Sequence, residues 1–269
     1  MQLNIRCFNN FLTIYYQLQV TLLNTLEKRV NYLENKVAKT DKMTGSTACV
    51  LCETLNTQSF LNVSEKEFGQ IVSKSYLLCS QCGLVFLDRS NCLSPEEEKK
   101  RYLTHENTID NKGYCSFLLK AWEPLKPLVC KSDKGLDFGS GPNPVLSDLI
   151  KSEGYNCKAY DPFFLDDKSL LNFKYNFILS TEVFEHFNSP KAEINLLLKL
   201  LEPGGYISVM TSPLTKEINF KNWHYRQDQT HISFFSYETY DWMAENLNLE
   251  IKYCSGPVVI FKKTDKLKN

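Results

Sequence analysis

The sequence has no excess of charge of either sign: 31 lysines and arginines stand against 31 aspartates and glutamates, for a formal net charge of zero. Nothing global draws such a chain toward a phosphate backbone, so nucleic acid is a disfavoured partner unless a local basic groove supplies the attraction. A clean apolar run of membrane-spanning length is also lacking. The best stretch, Phe8 to Leu23, is short for a bilayer and is interrupted by Asn9, Asn10, Gln17 and Gln19. The chain opens without the basic start, apolar run and small-residue cleavage site of a secretory leader. The expectation is a cytoplasmic protein with no membrane partner. Histidine is scarce, with four in 269 residues, which makes their placement informative. The balance of 43% apolar and 23% charged residues is that of a soluble globular protein. The length allows one large domain, or a core domain with a small accessory module.

Cysteine, by contrast, is plentiful. Four of the ten form two close pairs, Cys49/Cys52 and Cys79/Cys82, and six are scattered (Cys7, Cys92, Cys115, Cys130, Cys157, Cys254). A disulfide framework belongs to small secreted chains, so reduced thiols are expected here. The scattered six read as buried or incidental. Two Cys-x-x-Cys pairs suit tetrahedral zinc, because each tight turn brings two sulfurs to one ion, and Gly83 follows the second pair where a knuckle favours glycine. With all four positions filled by sulfur, the zinc is expected to be structural.

The pattern along the chain divides it into four stretches. Residues 1–45 read as a helical extension. Leu23, Leu26, Val30, Leu33 and Val37 alternate spacings of three and four among charged residues, a coiled-coil-like stripe of barely two heptads. Such a helix either forms a homodimer or packs on the body, and Met43 competes with Met1 as the natural start. Residues 46–92 read as a zinc-ribbon-like module of short strands and turns. Residues 93–131 read as a helical connector with Ser94-Pro95-Glu96-Glu97 as a cap-like start. From 132 to 269, strands and helices alternate. Gly135–Phe138 and Tyr155–Tyr160 read as strands around a helix opened by Asn143 and Pro144. Tyr175–Ser180 is a further strand. A helix from Ser189-Pro190 is stopped by Pro203-Gly204-Gly205 before the strand Tyr206–Met210. Ser236 caps a last helix ahead of two closing strands. This alternation implies an α/β fold, a doubly wound Rossmann-like sheet that is mostly parallel.

In Asp137-Phe-Gly139-Ser140-Gly141-Pro-Asn-Pro, two glycines separated by one residue lie between a strand and a helix. Gly139 permits the tight turn and Gly141 lets backbone approach a ligand. Asp161 ends the next strand, where a carboxylate can accept both ribose hydroxyls of an adenosine cofactor. Pro142 and Pro144 stand where amides would contact a pyrophosphate, and proline has no N–H to offer. A phosphate-free adenosine cofactor is therefore preferred over a dinucleotide.

With these residues in place, the chain resembles the class I S-adenosylmethionine-dependent methyltransferases. Asp137–Gly141, Asp161, Phe177–His186 and Leu201–Thr211 follow the order of that family's motifs, over roughly 114–261. The resemblance implies that Gly139, Ser140 and Gly141 line the methionine part of S-adenosylmethionine and that Asp161 holds its ribose. It also implies that Asp137 stabilises the loop or the amino end, and that Thr181 borders the cofactor. One departure stands out: the interval from Asp161 to Tyr175 is short for the family's third strand and its adenine-capping acid, for which Asp166 and Asp167 are candidates. The cysteine pairs resemble the zinc-binding N-terminal region of some sugar and small-molecule methyltransferases, and more loosely ribbons of RNA-modifying enzymes.

Beyond the cofactor lies Glu182-Val-Phe-Glu185-His186, at the carboxyl end of a strand, where ligands of such sheets bind. On a helical turn, Glu182, Glu185 and His186 share a face. His224 and His231 follow on a later loop, and Tyr114, Phe117, Trp223 and Tyr225 are candidate pocket walls. Three readings stay open. Glu185 and His186 brace the loop. Or a histidine, His186 or His231, takes a proton from the acceptor, with Glu182 beside it. Or Glu182, Glu185, His186 and His231 hold a second divalent cation that acidifies the acceptor. This last arrangement is similar to metal-dependent enzymes that methylate the 3′-terminal ribose of small RNAs and to ubiquinone-pathway O-methyltransferases. The leading expectation is methyl transfer to a small-molecule acceptor, sugar-linked or aromatic, on oxygen or carbon. Against it stand an RNA or protein methyltransferase that reads its substrate through the zinc module, and a non-catalytic binding module on the same fold.

Overall fold

The computed structural model describes residues 47–67, 70–103 and 108–264. The Leu23–Val37 stripe, both candidate starts and His105 lie outside the described residues.

The cysteine-bearing part is built on an antiparallel hairpin of β1 (Thr57–Glu67) and β2 (Gln70–Cys79), longer strands than the sequence leads one to expect. β2 pairs onward with the fully buried β3 (Val85–Leu87). The fourth strand of this sheet is β8 (Ser233–Phe234), contributed from far downstream, with Val85 opposite Phe234 and Phe86 opposite Ser233. The connector is two helices and a 3-10 turn at Lys126–Leu128, not one continuous helix. The first, α1 (Pro95–Tyr102), opens with the expected cap: Ser94 Oγ accepts the Glu97 N–H at 3.3 Å, and the Glu97 carboxylate accepts the Ser94 N–H at 2.9 Å. The second, α2 (Lys112–Trp122), is capped by Asn111.

The main sheet contains β4 (Lys134–Phe138), β5 (Asn156–Tyr160), β6 (Tyr175–Thr181), β7 (Leu201–Met210), β9 (Leu249–Ser255) and β10 (Val258–Lys263). Their order is β5-β4-β6-β7-β10-β9, parallel across the first four and antiparallel at the last two. This is the mostly parallel Rossmann-like sheet read from the alternation. The helices that cover it are α2, α3 (Val145–Ser152), α4 (Pro190–Leu200) and α6 (Tyr237–Asn246); the single turn α5 (His224–Gln227) lies beside the small sheet. Side chains alternate through the sheet, as pleating requires. Phe177, Leu179, Val258 and Ile260 join a core with Trp122 and Ile150, whereas Ile178, Val259 and Phe261 join one with Leu197, Met243 and the cysteines. Burial on both faces explains why these strands read as continuous apolar runs.

Two local expectations fail, each for a visible reason. The helix after the glycine loop has Pro144, not Asn143, at its cap and Val145, not Pro144, as its first residue, because Asn143 C=O is taken at 2.8 Å by the Val145 N–H in a tight turn about Pro144. Pro203-Gly204-Gly205 lies inside β7. Tyr175 pairs with Leu201 while Phe177 pairs with Tyr206, so this segment is an enlarged bulge that Gly204 permits at φ 75°. As the short interval from Asp161 to Tyr175 implied, no strand intervenes between β5 and β6. An Asp161–Leu165 bridge and a 3-10 turn at Lys168–Asn172 fill the interval.

Candidate functional site

The loop after β4 is held open by glycine backbone. Gly139 has φ 80° and Gly141 φ 69°, the left-handed region that side chains disfavour. The N–H groups of Gly139 and Ser140 both donate to Tyr160 C=O, at 2.8 and 3.2 Å, which ties the loop to the end of β5. Ser140 is half-buried beside Gly141. Asp161 Oδ2 accepts the Gly141 N–H at 2.9 Å, and Oδ1 accepts those of Phe163 and Phe164 at 2.8 and 3.1 Å. Asp161 thus also organises the loop. Thr181 is buried at the end of β6. A phosphate-free adenosine cofactor fits this cradle: a Cβ on Gly141 would meet nothing within 4 Å, and the next residues, Pro142 and Pro144, carry no amide donor.

Asp137 sits under the loop, 2% exposed, with Oδ2 accepting the Ser147 N–H at 3.2 Å and Oδ1 unpartnered. Burial pushes its carboxyl up to about 7, against the lowering effect of the Ser147 amide. An aspartate titrating near 3.9 when unfolded and higher when folded binds more protons in the native state, so stability falls as pH rises between those values. Asp137→Asn removes that penalty. In the cofactor-free protein, the variant is expected to match wild type at pH 4 and to gain on the order of 2–4 kcal/mol at pH 8, read by urea unfolding at both pH values. An equal difference at both would refute this account of Asp137.

Directly behind Gly139 lies the acid–histidine segment. A Cβ on Gly139 would come within 2.4 Å of Val183 Cγ2, and Tyr114 feels the charges of both Asp137 and Glu182. Glu182 itself is not on a helical turn with Glu185 and His186. Its φ is 54°, and only Phe184–His186 wind into a 3-10 turn. The chain must reverse at once from β6 into a buried turn, and this left-handed residue does it. Glu185 is fully buried. Its Oε1 accepts the Tyr225 hydroxyl at 2.5 Å, and its Oε2 has no partner. Tyr225 in turn accepts from Thr211 Oγ1 at 2.9 Å and the Ser212 N–H at 3.3 Å.

Each histidine uses Nδ1 on a backbone carbonyl: His186 on Thr230 C=O at 3.0 Å, His231 on Tyr225 C=O at 2.6 Å. A carbonyl only accepts, so each Nδ1 carries a proton; in neutral His231 this leaves the Nε2 lone pair, whereas His186 Nε2 faces Glu185 Oε1 at 4.0 Å. The two rings lie 4.7 Å apart, and ligand-type atoms of Glu185, His186 and His231 fall within 4.8 Å of one another. Glu182 is not in that set, although its carboxyl lies beside Glu185 and is raised to about 9 by burial and by that neighbour's charge. Burial also raises the Glu185 carboxyl and lowers His231.

The four paired cysteines meet at one point. Cys49 and Cys82 sulfurs are 3.6 Å apart, Cys52 and Cys79 sulfurs 3.4 Å, and all four lie within 4.8 Å of one another. The edge of a ZnS₄ tetrahedron with 2.3 Å bonds is roughly 3.8 Å, so the set fits zinc. Sulfur-directed amides complete the knuckles, from Leu51 N–H to Cys49 Sγ at 3.5 Å and from Cys82 N–H to Cys79 Sγ at 3.4 Å. The residue after each pair is left-handed, Glu53 at φ 60° and Gly83 at φ 72°.

The sequence missed several groups that shape the acid–histidine cleft. Tyr102, at the end of α1, stands edge-on to His186 at 5.2 Å and beside Phe163 at 5.7 Å. Asp228 holds Thr230 through Oδ1 at 3.0 and 2.7 Å and meets Arg101 of α1 at 3.2 Å. The only sequence signal for Asp228 is the polar, turn-rich run beside His231, and Tyr102 has none. Of the expected walls, Tyr114 and Phe117 pack against the α2–α3 core, Tyr114 within reach of the charges of Asp137 and Glu182, and Trp223 and Tyr225 pack with Phe220 and Phe234, Tyr225 with its hydroxyl on Glu185. His224 is exposed on α5.

Residues 105–253 match the methyltransferase-domain family. No curated protein matches the sequence. Among solved structures, the chain is similar to the 1,6-didemethyltoxoflavin N1-methyltransferase of Burkholderia thailandensis, which holds S-adenosylhomocysteine. Identity is 12%, coverage 69% of this chain and 97% of that one, and the TM-score 0.48. It is also similar to the magnesium protoporphyrin IX methyltransferase of Synechocystis, with 10% identity, 64% and 95% coverage and a TM-score of 0.43. A methyltransferase of Archaeoglobus fulgidus matches at 18% identity, 54% and 93% coverage and a TM-score of 0.42.

Proposed function

The chain belongs to the methyltransferase-domain family and is an S-adenosylmethionine-dependent methyltransferase; on that premise we propose that it methylates a small-molecule acceptor seated against Glu182, Glu185, His186 and His231. The observation that carries this reading is the His231 ring, whose Nδ1 is committed to the Tyr225 carbonyl and whose Nε2 keeps its lone pair, 4.7 Å from the His186 ring on the segment that backs Gly139.

Gly139, Ser140, Gly141 and Asp161, with Asp137 beneath and Thr181 alongside, are the residues that would hold S-adenosylmethionine. That cofactor supplies an electrophilic methyl group. The protein's share is orientation and proton handling. His186 or His231 accepts the proton of an attacking hydroxyl at Nε2, and the carbonyl on Nδ1 stabilises the charge that develops on the ring. Glu185, wired to Tyr225, sets the electrostatics beneath. In the cysteine cluster, zinc would be held by Cys49, Cys52, Cys79 and Cys82 as a structural ion, since sulfur fills every position.

One observation favours a second reading of the same residues. Glu185, His186 and His231 offer one carboxylate and two imidazoles within 4.8 Å, with Oε2 of the fully buried Glu185 unpartnered. Histidines that ligate a metal commonly spend their other nitrogen on a backbone carbonyl. Manganese, iron or zinc suits this donor set better than magnesium.

One experiment separates these readings: metal analysis with calorimetric titration of S-adenosylmethionine, on wild type and Glu185→Ala. Wild type is expected to bind the cofactor at micromolar concentration and to carry one zinc. A second ion lost in Glu185→Ala establishes the metal; one zinc in both removes it. Absence of cofactor binding in the folded wild type refutes the proposed function.

A further inference from the structure

Arg226 is the largest fully buried charged side chain among the described residues, 1% exposed, and its donors face both the small sheet and the loop that carries Tyr225 and His231. Nη1 and Nη2 grip the two oxygens of Glu65 on β1 at 3.1 and 2.6 Å, and Nη1 also reaches the Tyr76 hydroxyl on β2 at 3.3 Å. Its remaining bonds turn back on its own loop, with Nε on Phe220 C=O at 3.1 Å and Nη2 on Lys221 C=O at 2.7 Å. One planar group therefore closes the 220–226 turn and bolts it to the cysteine-bearing hairpin. A bidentate guanidinium–carboxylate pair adds direction as well as energy to such a bolt.

The neighbouring residue in the chain is Tyr225. Its hydroxyl is on Glu185 and its carbonyl fixes the His231 tautomer. From His231 the chain continues into Ile232, whose N–H donates to Glu185 C=O at 2.8 Å and whose C=O accepts the Leu87 N–H at 2.9 Å, and then into β8 on the edge of β3. The loop is thus tethered to the cysteine-bearing sheet at both ends, by Arg226 before the histidine and by β8 after it.

We propose that Arg226, gripped by Glu65, is a positioning residue of the methyl-transfer site: it places Tyr225 so that the Tyr225 carbonyl holds His231 with Nε2 free. The cysteine-bearing sheet is then the scaffold of the acceptor loop. This rests on the reading of His231 as part of the acceptor site, but its test needs no cofactor. Glu65 is the residue to change, since it lies near the surface while Arg226 is wholly enclosed.

The tautomer of His231 is read by long-range proton–nitrogen correlation on the full chain with its zinc. Wild type is expected to show a single Nδ1–H form. Glu65→Ala is expected to lose it, giving a mixture with the Nε2–H form, and Glu65→Gln, which keeps one carbonyl for the guanidinium, to retain most of it. Leu77→Ala, which removes bulk from the same sheet but on the face that packs against the other core, is the control for a merely structural effect. It should lower the melting temperature and leave the tautomer alone. An unchanged tautomer in Glu65→Ala overturns the proposal, as does an equal change in Leu77→Ala. If Glu65→Ala fails to fold, the retention or loss of the Nδ1–H form in Glu65→Gln against Leu77→Ala decides. S-adenosylmethionine affinity should stay within about twofold in Glu65→Gln; a wild type that binds no cofactor yet shows the clamp signature sinks the function and spares the clamp.

Discussion

Cys79→Ser is expected to strip the zinc and to lower the melting temperature by roughly 10–15 °C, corresponding to about 3–5 kcal/mol in a chain of this size. Cys79 is more than one ligand of four. It ends β2, its N–H donates to Leu84 C=O at 2.9 Å, and its C=O accepts the Gly83 N–H at 3.0 Å. It is fully buried among Leu84, Phe86 and Phe235, in the same core as one face of the main sheet. A serine hydroxyl is a poor zinc ligand there and, without the ion, three crowded thiols remain. Binding free energies of about 10–16 kcal/mol in zinc-finger peptides show how much folding such an ion can carry. Thermal unfolding with metal analysis checks it. Cys92→Ser, outside the cluster, should cost less than about 0.5–1 kcal/mol. Equal effects of the two would mean that the four thiols hold no structural ion.

Gly139→Ala is expected to weaken S-adenosylmethionine binding at least about 100-fold, or roughly 2.7 kcal/mol. Two penalties combine. At φ 80° an alanine pays on the order of 1–2 kcal/mol for the left-handed backbone. Its Cβ would also lie 2.4 Å from Val183 Cγ2, 3.0 Å from Cγ1 and 3.3 Å from Cβ. A β-branched neighbour blocked at all three atoms cannot rotate aside, so the loop itself must move. Gly141→Ala separates the terms: φ is 69° but the space is open, and only the backbone cost of about 1–2 kcal/mol applies. Calorimetry on both, with Val183→Ala added to the first, tests the argument. Partial recovery in the double variant is the expected coupling between contacting residues; equal losses at the two glycines would remove Val183 from the account.

Much of this was legible in the sequence because it is local. Glycines between a strand and a helix, an acid at the next strand end, and paired cysteines all announce themselves within a few residues. Asp137, Gly139, Gly141 and Asp161 accordingly meet in one loop, and the four cysteines in one cluster. What was not legible depends on long-range closure. A helical face for Glu182 was inferred from spacing, but a strand that must turn at once into the core forced it left-handed instead. The Pro203-Gly204-Gly205 segment carries turn chemistry and makes a bulge, because Leu201 already pairs with Tyr175. Tyr102 and Arg226 carry no local signal. Their roles come from α1 crossing the cleft and from a hairpin 161 residues away in sequence.

The pairing of β3 with β8 also imposes an order in time. All four sulfurs of the proposed zinc site have been synthesised by Cys82, so the site is complete while most of the chain has still to be made. The free edge of β3, with Phe86 and Leu87 on it, then waits for Ser233 and Phe234. Until they arrive, an apolar strand edge is open, the kind of edge that recruits other chains. The loop-closure entropy of so long an interval grows only slowly with length, but the delay does not shrink. The vulnerable stage in this protein's life is therefore the interval of translation between its third strand and its eighth.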